Sequence, residues 1–93
     1  MIRHIVMWKF RLGEEKKAEE FLSHLAALQG VVPELLKSEV RKNIGTDGFD
    51  AVLISEFASM EALDRYKKDQ RHVEVSALCK SIREARASVD YEF

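Results

Sequence analysis

The opening stretch "MIRHIVMWKFRL", residues 1 to 12, limits the possible folds more than any other part of the chain. Its hydrophobicity alternates with period two: Ile2, His4, Val6, Trp8 and Phe10 fall on one side, Arg3, Ile5, Met7, Lys9 and Arg11 on the other. That is the spacing of a β-strand. The second side is charged at its ends but apolar at its centre, at Ile5 and Met7. Both faces of the strand's middle therefore need cover.

The period then changes. From Glu14 to Gln29, Ala18, Phe21, Leu22, Leu25 and Leu28 lie within one helical stripe with charged residues around it, and Gly30 suits the stop. His24 falls at the margin of that stripe, on the solvated side. After "VVPE", residues 35 to 44 ("LLKSEVRKNI") read as a polar strand, and "GTDG" at 45 to 48 as a turn that closes a hairpin. "FDAVLISEF", residues 49 to 57, is continuously apolar from Ala51 to Ile54 and reads as a central strand. Ser59 is a natural N-cap for "MEALDRYKK". Asp69 to Arg71 break the pattern, and a second helical run follows in which His72, Val75, Cys79 and Ile82 recur at threes and fours. "EARASVDYEF" alternates again as the last strand.

The order β, α, β, β, α, β is that of an α+β, ferredoxin-like domain: a four-stranded antiparallel sheet with the helices on one face. The other sheet face then carries Ile5, Met7, Val52 and Ile54, too apolar a group to leave wet on a small monomer. A chain of 93 residues buries only roughly 60 to 65 % of its unfolded surface, and a second copy would enlarge that core. The expected assembly is a homodimer packed sheet to sheet, each chain one domain spanning residues 1–93.

Charge and cysteine usage exclude several functions. The net charge is -1, without the basic excess that attracts nucleic acid or anionic lipid. Arg3, His4, Lys9 and Arg11 interrupt any N-terminal apolar run, and no uncharged stretch approaches membrane length. Cys79 is the only cysteine, so no intrachain disulfide forms, and no CxxC or paired-His spacing points to a metal or other cofactor. A cytoplasmic location is expected.

"IRHIVMWKF", "EVRKNIG", "FDAVLISEFASMEALDRY" followed by "HVEV", and "VDYEF", in this order and with these gaps, resemble the stress-responsive A/B barrel (Dabb) family over nearly the whole chain. The resemblance implies a dimeric α+β barrel. For the branch of the family that cyclises polyketides it implies a pocket between sheet and helices, with a histidine as general base and a tyrosine that helps hold the substrate. Those positions match His72 and Tyr66, and a pocket histidine on the first strand matches His4. A further histidine of that branch, on the third strand, is replaced by Ala51. Related haem-binding barrels use a helix histidine comparable to His72, but also an asparagine on the first strand that "IRHIVMWKF" lacks. Some members of the family hold magnesium near the dimer interface through backbone oxygens, which leave no trace in a sequence.

The chemistry of the residues suits such a pocket. A neutral imidazole removes a proton from carbon beside a carbonyl at ordinary pH, which is the role expected of His72. Tyr66 shares an apolar face with Leu63, so its buried hydroxyl needs a partner and can donate to a substrate carbonyl. The expected substrate-binding walls are His4, Val6, Trp8, Phe21, Leu22 and Leu25, lining an apolar pocket for a β-carbonyl compound. In the alternative reading the pocket only binds an apolar ligand, or is filled and serves dimer stability. A cavity below about 100 Å³ would favour the alternative, since small-molecule sites run to several hundred. Tyr66 and His72 are six positions apart, so on an unbroken helix they would diverge by about 120°. The break between them allows convergence.

Overall fold

The computed structural model describes residues 1–93. Strand β1 (Ile2–Phe10) leads to helix α1 (Glu15–Ala26), strands β2 (Lys37–Lys42) and β3 (Ala51–Phe57), helices α2 (Met60–Lys68) and α3 (Gln70–Ile82), and strand β4 (Arg83–Glu92). The strands form one antiparallel sheet in the order β2-β3-β1-β4. The sequence reading of a ferredoxin-like α+β fold is correct, and β1, with its two apolar sides, occupies the interior of the sheet.

The helices cover one face. Val6, Trp8, Leu53 and Phe57 on that face are buried against Phe21, Leu25, Leu63, Val75 and Ile82. Aromatic edges knit the layers: the Trp8 and Phe21 ring centroids lie 5.1 Å apart and nearly perpendicular, an arrangement that aligns a positive ring edge with a negative face. On the other face, Ile5 sits between Ile54 and Val89, and Met7 between Val52 and Ala87. Nothing in the chain covers them, and Met7 and Val89 remain 38 % and 54 % exposed.

Several boundaries differ from the sequence reading for local reasons. Helix α1 ends at Ala26 instead of Gln29, because Leu28 and Gln29 bond back only three residues, to the Leu25 and Ala26 carbonyls, which tightens the last turn out of α-geometry. Gly30, at φ +84°, then turns the chain in a region closed to most side chains. The β2–β3 connection is a loop over 43–50 and not a tight turn. The Asn43 amide donates to the carbonyls of Asp47 (2.9 Å) and Phe49 (2.7 Å) and its oxygen accepts from the Gly45 N–H (2.7 Å), so one side chain holds the loop shut.

The interruption between α2 and α3 is a single residue. Asp69 is extended (φ -61°, ψ 133°), closes α2, and caps α3 by accepting from the Arg71 N–H at 2.9 Å. Gln70 and Arg71, read as part of the break, are already helical. The Arg71 guanidinium also grips the Asp69 carboxylate at 2.7 Å and holds its pKa down to about 2. Ser59 caps α2 as expected, accepting from the Ala62 N–H at 3.1 Å.

Candidate active site

Three elements bring the candidate residues together. His4 stands on the helix-facing side of β1, Tyr66 on the buried side of α2, and His72 in the first turn of α3. The bend at Asp69 turns the last two toward each other, so that their ring centroids lie 4.5 Å apart at a tilt of 49°. Tyr66 is also packed against Phe57, at 5.0 Å, and Phe57 meets the edge of His4 at 6.4 Å. The four rings form a continuous aromatic contact from β1 to α3.

The hydrogen bonds of the two histidines fix their tautomers. Nδ1 of His72 lies 3.2 Å from the Lys67 carbonyl oxygen. A carbonyl only accepts, so Nδ1 carries the proton and Nε2 of the neutral ring keeps its lone pair. Burial lowers the His72 pKa against the pull of that carbonyl, and the charges of His4, Lys67 and Arg86 lower it further. His72 is thus a neutral base in a ring of fixed orientation. Nδ1 of His4 meets the Asp90 carboxylate at 2.5 Å. Burial lowers the His4 pKa, while Asp90 opposes that shift. A carboxylate on one imidazole nitrogen orients the ring and leaves the other nitrogen for chemistry. Burial alone raises the pKa of Tyr66, and no hydrogen-bond partner contributes. The phenol therefore stays protonated.

The space beside these rings has two parts. An outer cleft of about 360 Å³ is lined by His4 and His72, with Ser76 and the cationic side chains of Lys67, Lys80, Arg83 and Arg86. Behind it lies a cavity of only about 50 Å³, walled by Val6, Trp8, Phe21, Leu25, Val75 and Cys79. The expected apolar walls are present, with one exception, but they close on one another. The exception is Leu22, which faces away toward a separate cleft of about 440 Å³ at the far end of α1, beside Phe10, Leu12 and Glu19. Tyr66, only 1 % exposed, lies behind His72 and walls neither space. The far cleft is larger, yet contains no histidine, tyrosine or cysteine; the chemistry belongs with the smaller one.

Periodicity alone does not reveal Asp90, Ser76 or the four cations. Asp90 joins His4 through the β1–β4 register, across 86 positions. Two weaker signals exist: His72, Ser76 and Lys80 repeat every four residues on α3, and Arg86, Ser88 and Asp90 share one side of β4. Cys79 is buried and its thiol pKa is raised by burial, which suits a packed side chain and not a nucleophile. No three His, Cys, Asp or Glu side chains converge as metal ligands would.

The family model of the Stress Responsive A/B Barrel Domain matches residues 2–93. The chain belongs to this family. A dimeric protein of unknown function and ferredoxin-like fold from Bacteroides fragilis NCTC 9343 is 30 % identical, with 99 % of this chain and 95 % of that one covered and a TM-score of 0.88. A Dabb family protein from Mesorhizobium loti is 21 % identical over 99 % of this chain and 95 % of that one (TM-score 0.82). The hydroxynitrile lyase of Passiflora edulis is 20 % identical over 97 % and 90 % (TM-score 0.85). At those lower identities the likeness of the A/B barrel domain to its neighbours is one of fold. The search of curated proteins returned no match. No helix of the domain is long and apolar enough to cross a membrane.

Proposed function

We propose that this A/B barrel domain is a cytoplasmic homodimer that moves protons without a cofactor, cyclising or isomerising a β-carbonyl compound. His72 takes the proton from carbon beside the carbonyl, and Tyr66, its ring 4.5 Å behind that of His72, holds the imidazole in place. The observation that carries this reading is the bond from His72 Nδ1–H to the Lys67 carbonyl, which leaves the basic lone pair on Nε2 of a ring that lines the outer cleft. The hydroxynitrile lyase among the structural neighbours supports an enzymatic use of the fold, which by itself fixes no reaction.

The dimer is supported by the uncovered sheet face, where Ile5, Met7, Val52, Ile54 and Val89 adjoin one another, and by the dimeric state of the 30 % identical protein. Val52→Asp would place an unpaired charge at the centre of that interface, so the variant is expected to be monomeric or insoluble. A stable dimer of V52D in size-exclusion chromatography with light scattering would remove the sheet face from the interface. Free Cys79 fits a reducing compartment.

The catalytic reading is tested by proton exchange. β-Diketones and β-keto acids incubated in D₂O are expected to lose the signal of the proton between their carbonyls faster with the protein than without it, as read by NMR. No acceleration over buffer across the panel would defeat the reading. The small inner cavity favours a second one: at about 50 Å³ it is below the several hundred usual for small-molecule sites, as in a non-catalytic dimer whose core is simply filled.

A further inference from the structure

The charges around the outer cleft define what it would hold. Lys67 of α2, Lys80 of α3, and Arg83 and Arg86 of β4 border the same space. Not one of them has a carboxylate within 4.0 Å, as six of the other eleven Lys and Arg do, and no carboxylate lines the space they border. Acidic residues are not scarce, since the chain carries 16 against 15 Lys and Arg. The nearby carboxylate, Asp90, is bound by His4. The polar contact of the Arg86 guanidinium is a long one, 3.4 Å to the Ser88 hydroxyl. A chain of net charge -1 has thus gathered four cations from three elements around one concavity and left them without counter-charges. Mutual repulsion makes that arrangement unfavourable unless an anion enters.

We propose that the outer cleft is an oxyanion site: the molecule it takes bears a carboxylate or phosphate group, which Arg86, Arg83, Lys80 and Lys67 hold while the rest of it extends toward His72. Guanidinium groups suit this role because their paired N–H donors match the two oxygens of a carboxylate or phosphate. The assignment concerns the same cleft as the proton-transfer reading and rests on that reading only for what happens after binding. It also narrows it, replacing an apolar ligand by an acidic carbonyl compound. The base removes one proton from the carbon beside the carbonyl, the electron pair moves to the carbonyl oxygen as an enolate, and the proton returns at another atom, so no oxidant or second substrate is needed.

The test pairs acetoacetate with its uncharged methyl ester, which differ in charge and not in the reactive carbonyl, and adds malonate and inorganic phosphate. Binding is read by calorimetry and by ¹⁵N shifts of the Arg83, Arg86 and His72 resonances. Acetoacetate, and malonate or phosphate, are expected to bind at those resonances, with the ester at least roughly tenfold weaker. The tighter of malonate and phosphate identifies which oxyanion the site is built for. Arg86→Gln is expected to weaken anion binding by roughly tenfold. Lys80→Gln, on another element, should do so by a similar factor and serves if the first variant does not fold. Equal binding of acid and ester, or shifts scattered over the surface instead of the cleft, would overturn the oxyanion site. Anions that bind while acetoacetate shows no accelerated exchange at C2 would leave this site standing and defeat the proton-transfer reading. Accelerated exchange of the ester without preference for the acid would do the reverse.

Discussion

The two clefts at opposite ends of the helix layer differ in what their charges do. In the far cleft the charges are of both signs, and Lys42 bridges to Glu19 across its mouth. The histidine cleft is smaller, but no carboxylate lines it among its four cations, and its two imidazoles have their orientation set by Asp90 and by the Lys67 carbonyl. Volume alone would select the far cleft. Cations with no carboxylate among them, and imidazoles held by hydrogen bonds, select the other. A charge satisfied within the chain has little left to offer a ligand, whereas one left unsatisfied beside a concavity does.

The sharpest break between the two ends is expected in activity. His72→Ala should lower turnover of a competent substrate by roughly 10² to 10⁴-fold, the usual worth of a general base, while Lys42→Gln at the far end leaves it unchanged. Steady-state rates of both variants, with dimer content measured alongside, check this. Equal losses would erase the distinction between the clefts. Tyr66→Phe should cost less, no more than roughly fivefold in kcat, because it removes at most one neutral hydrogen bond worth about 1 kcal/mol and leaves the ring packed on His72. A loss as large as that of H72A would mean that the hydroxyl, and not the imidazole, carries the proton.

The acid side of the stability profile should also be governed by the histidine end. His4 and His72 both have lowered pKa values in the folded protein, burial being the main cause in each. Lys67 and Arg86 face them and oppose protonation, while Asp90 and the Lys67 carbonyl favour it. In the unfolded chain both rings titrate near 6.5. Below that value the unfolded state binds more protons than the folded one, so the stabilisation present above about pH 6.5 is lost as the pH falls toward the folded values. Urea midpoints should decline in that window, and His72→Gln should flatten the decline. An unchanged slope would mean that His72 is as free to protonate in the fold as outside it. The half-buried Asp69 acts at a lower pH: with its pKa held near 2 by Arg71, its contribution is present above the ordinary carboxylate value of about 3.9 and fades only as the pH falls toward 2.

The smallest effect is expected at the far cleft. Glu19 and Lys42 are both largely exposed, and such ion pairs contribute little once screening and side-chain entropy are counted. Glu19→Gln should change unfolding stability by no more than ~0.5 kcal/mol, read from denaturant curves. A loss several times larger would show that this end, too, has charges the fold depends on.

Local pattern determined a good deal. Alternation in "MIRHIVMWKF", the stripe Ala18, Phe21, Leu22 and Leu25, and the Ser59 cap set the element order and therefore the ferredoxin-like sheet, because period and capping are properties of neighbouring residues. The same reading named His4, Tyr66 and His72, partly through family resemblance and partly because a helix break between two polar rings can be seen along a line. The partners of those residues depend on the fold. Asp90 reaches His4 only once β4 lies antiparallel to β1 in one register, and a slip of a single residue would have turned it to the other face. The alternation of β4 names two sides without saying which one faces the helices. In the folded sheet Ala85, Ala87 and Val89 take the uncovered face, while Arg86, Ser88 and Asp90 turn toward the helices. Apolar residues need not point at the core of their own chain when a second sheet can cover them. The polar row they leave behind, joined by Lys67 and Lys80 from α2 and α3, turned an expected apolar pocket into a cationic one. Only tertiary structure could decide that, because it depends on four cations from three separate elements meeting while the nearby acid is taken by His4.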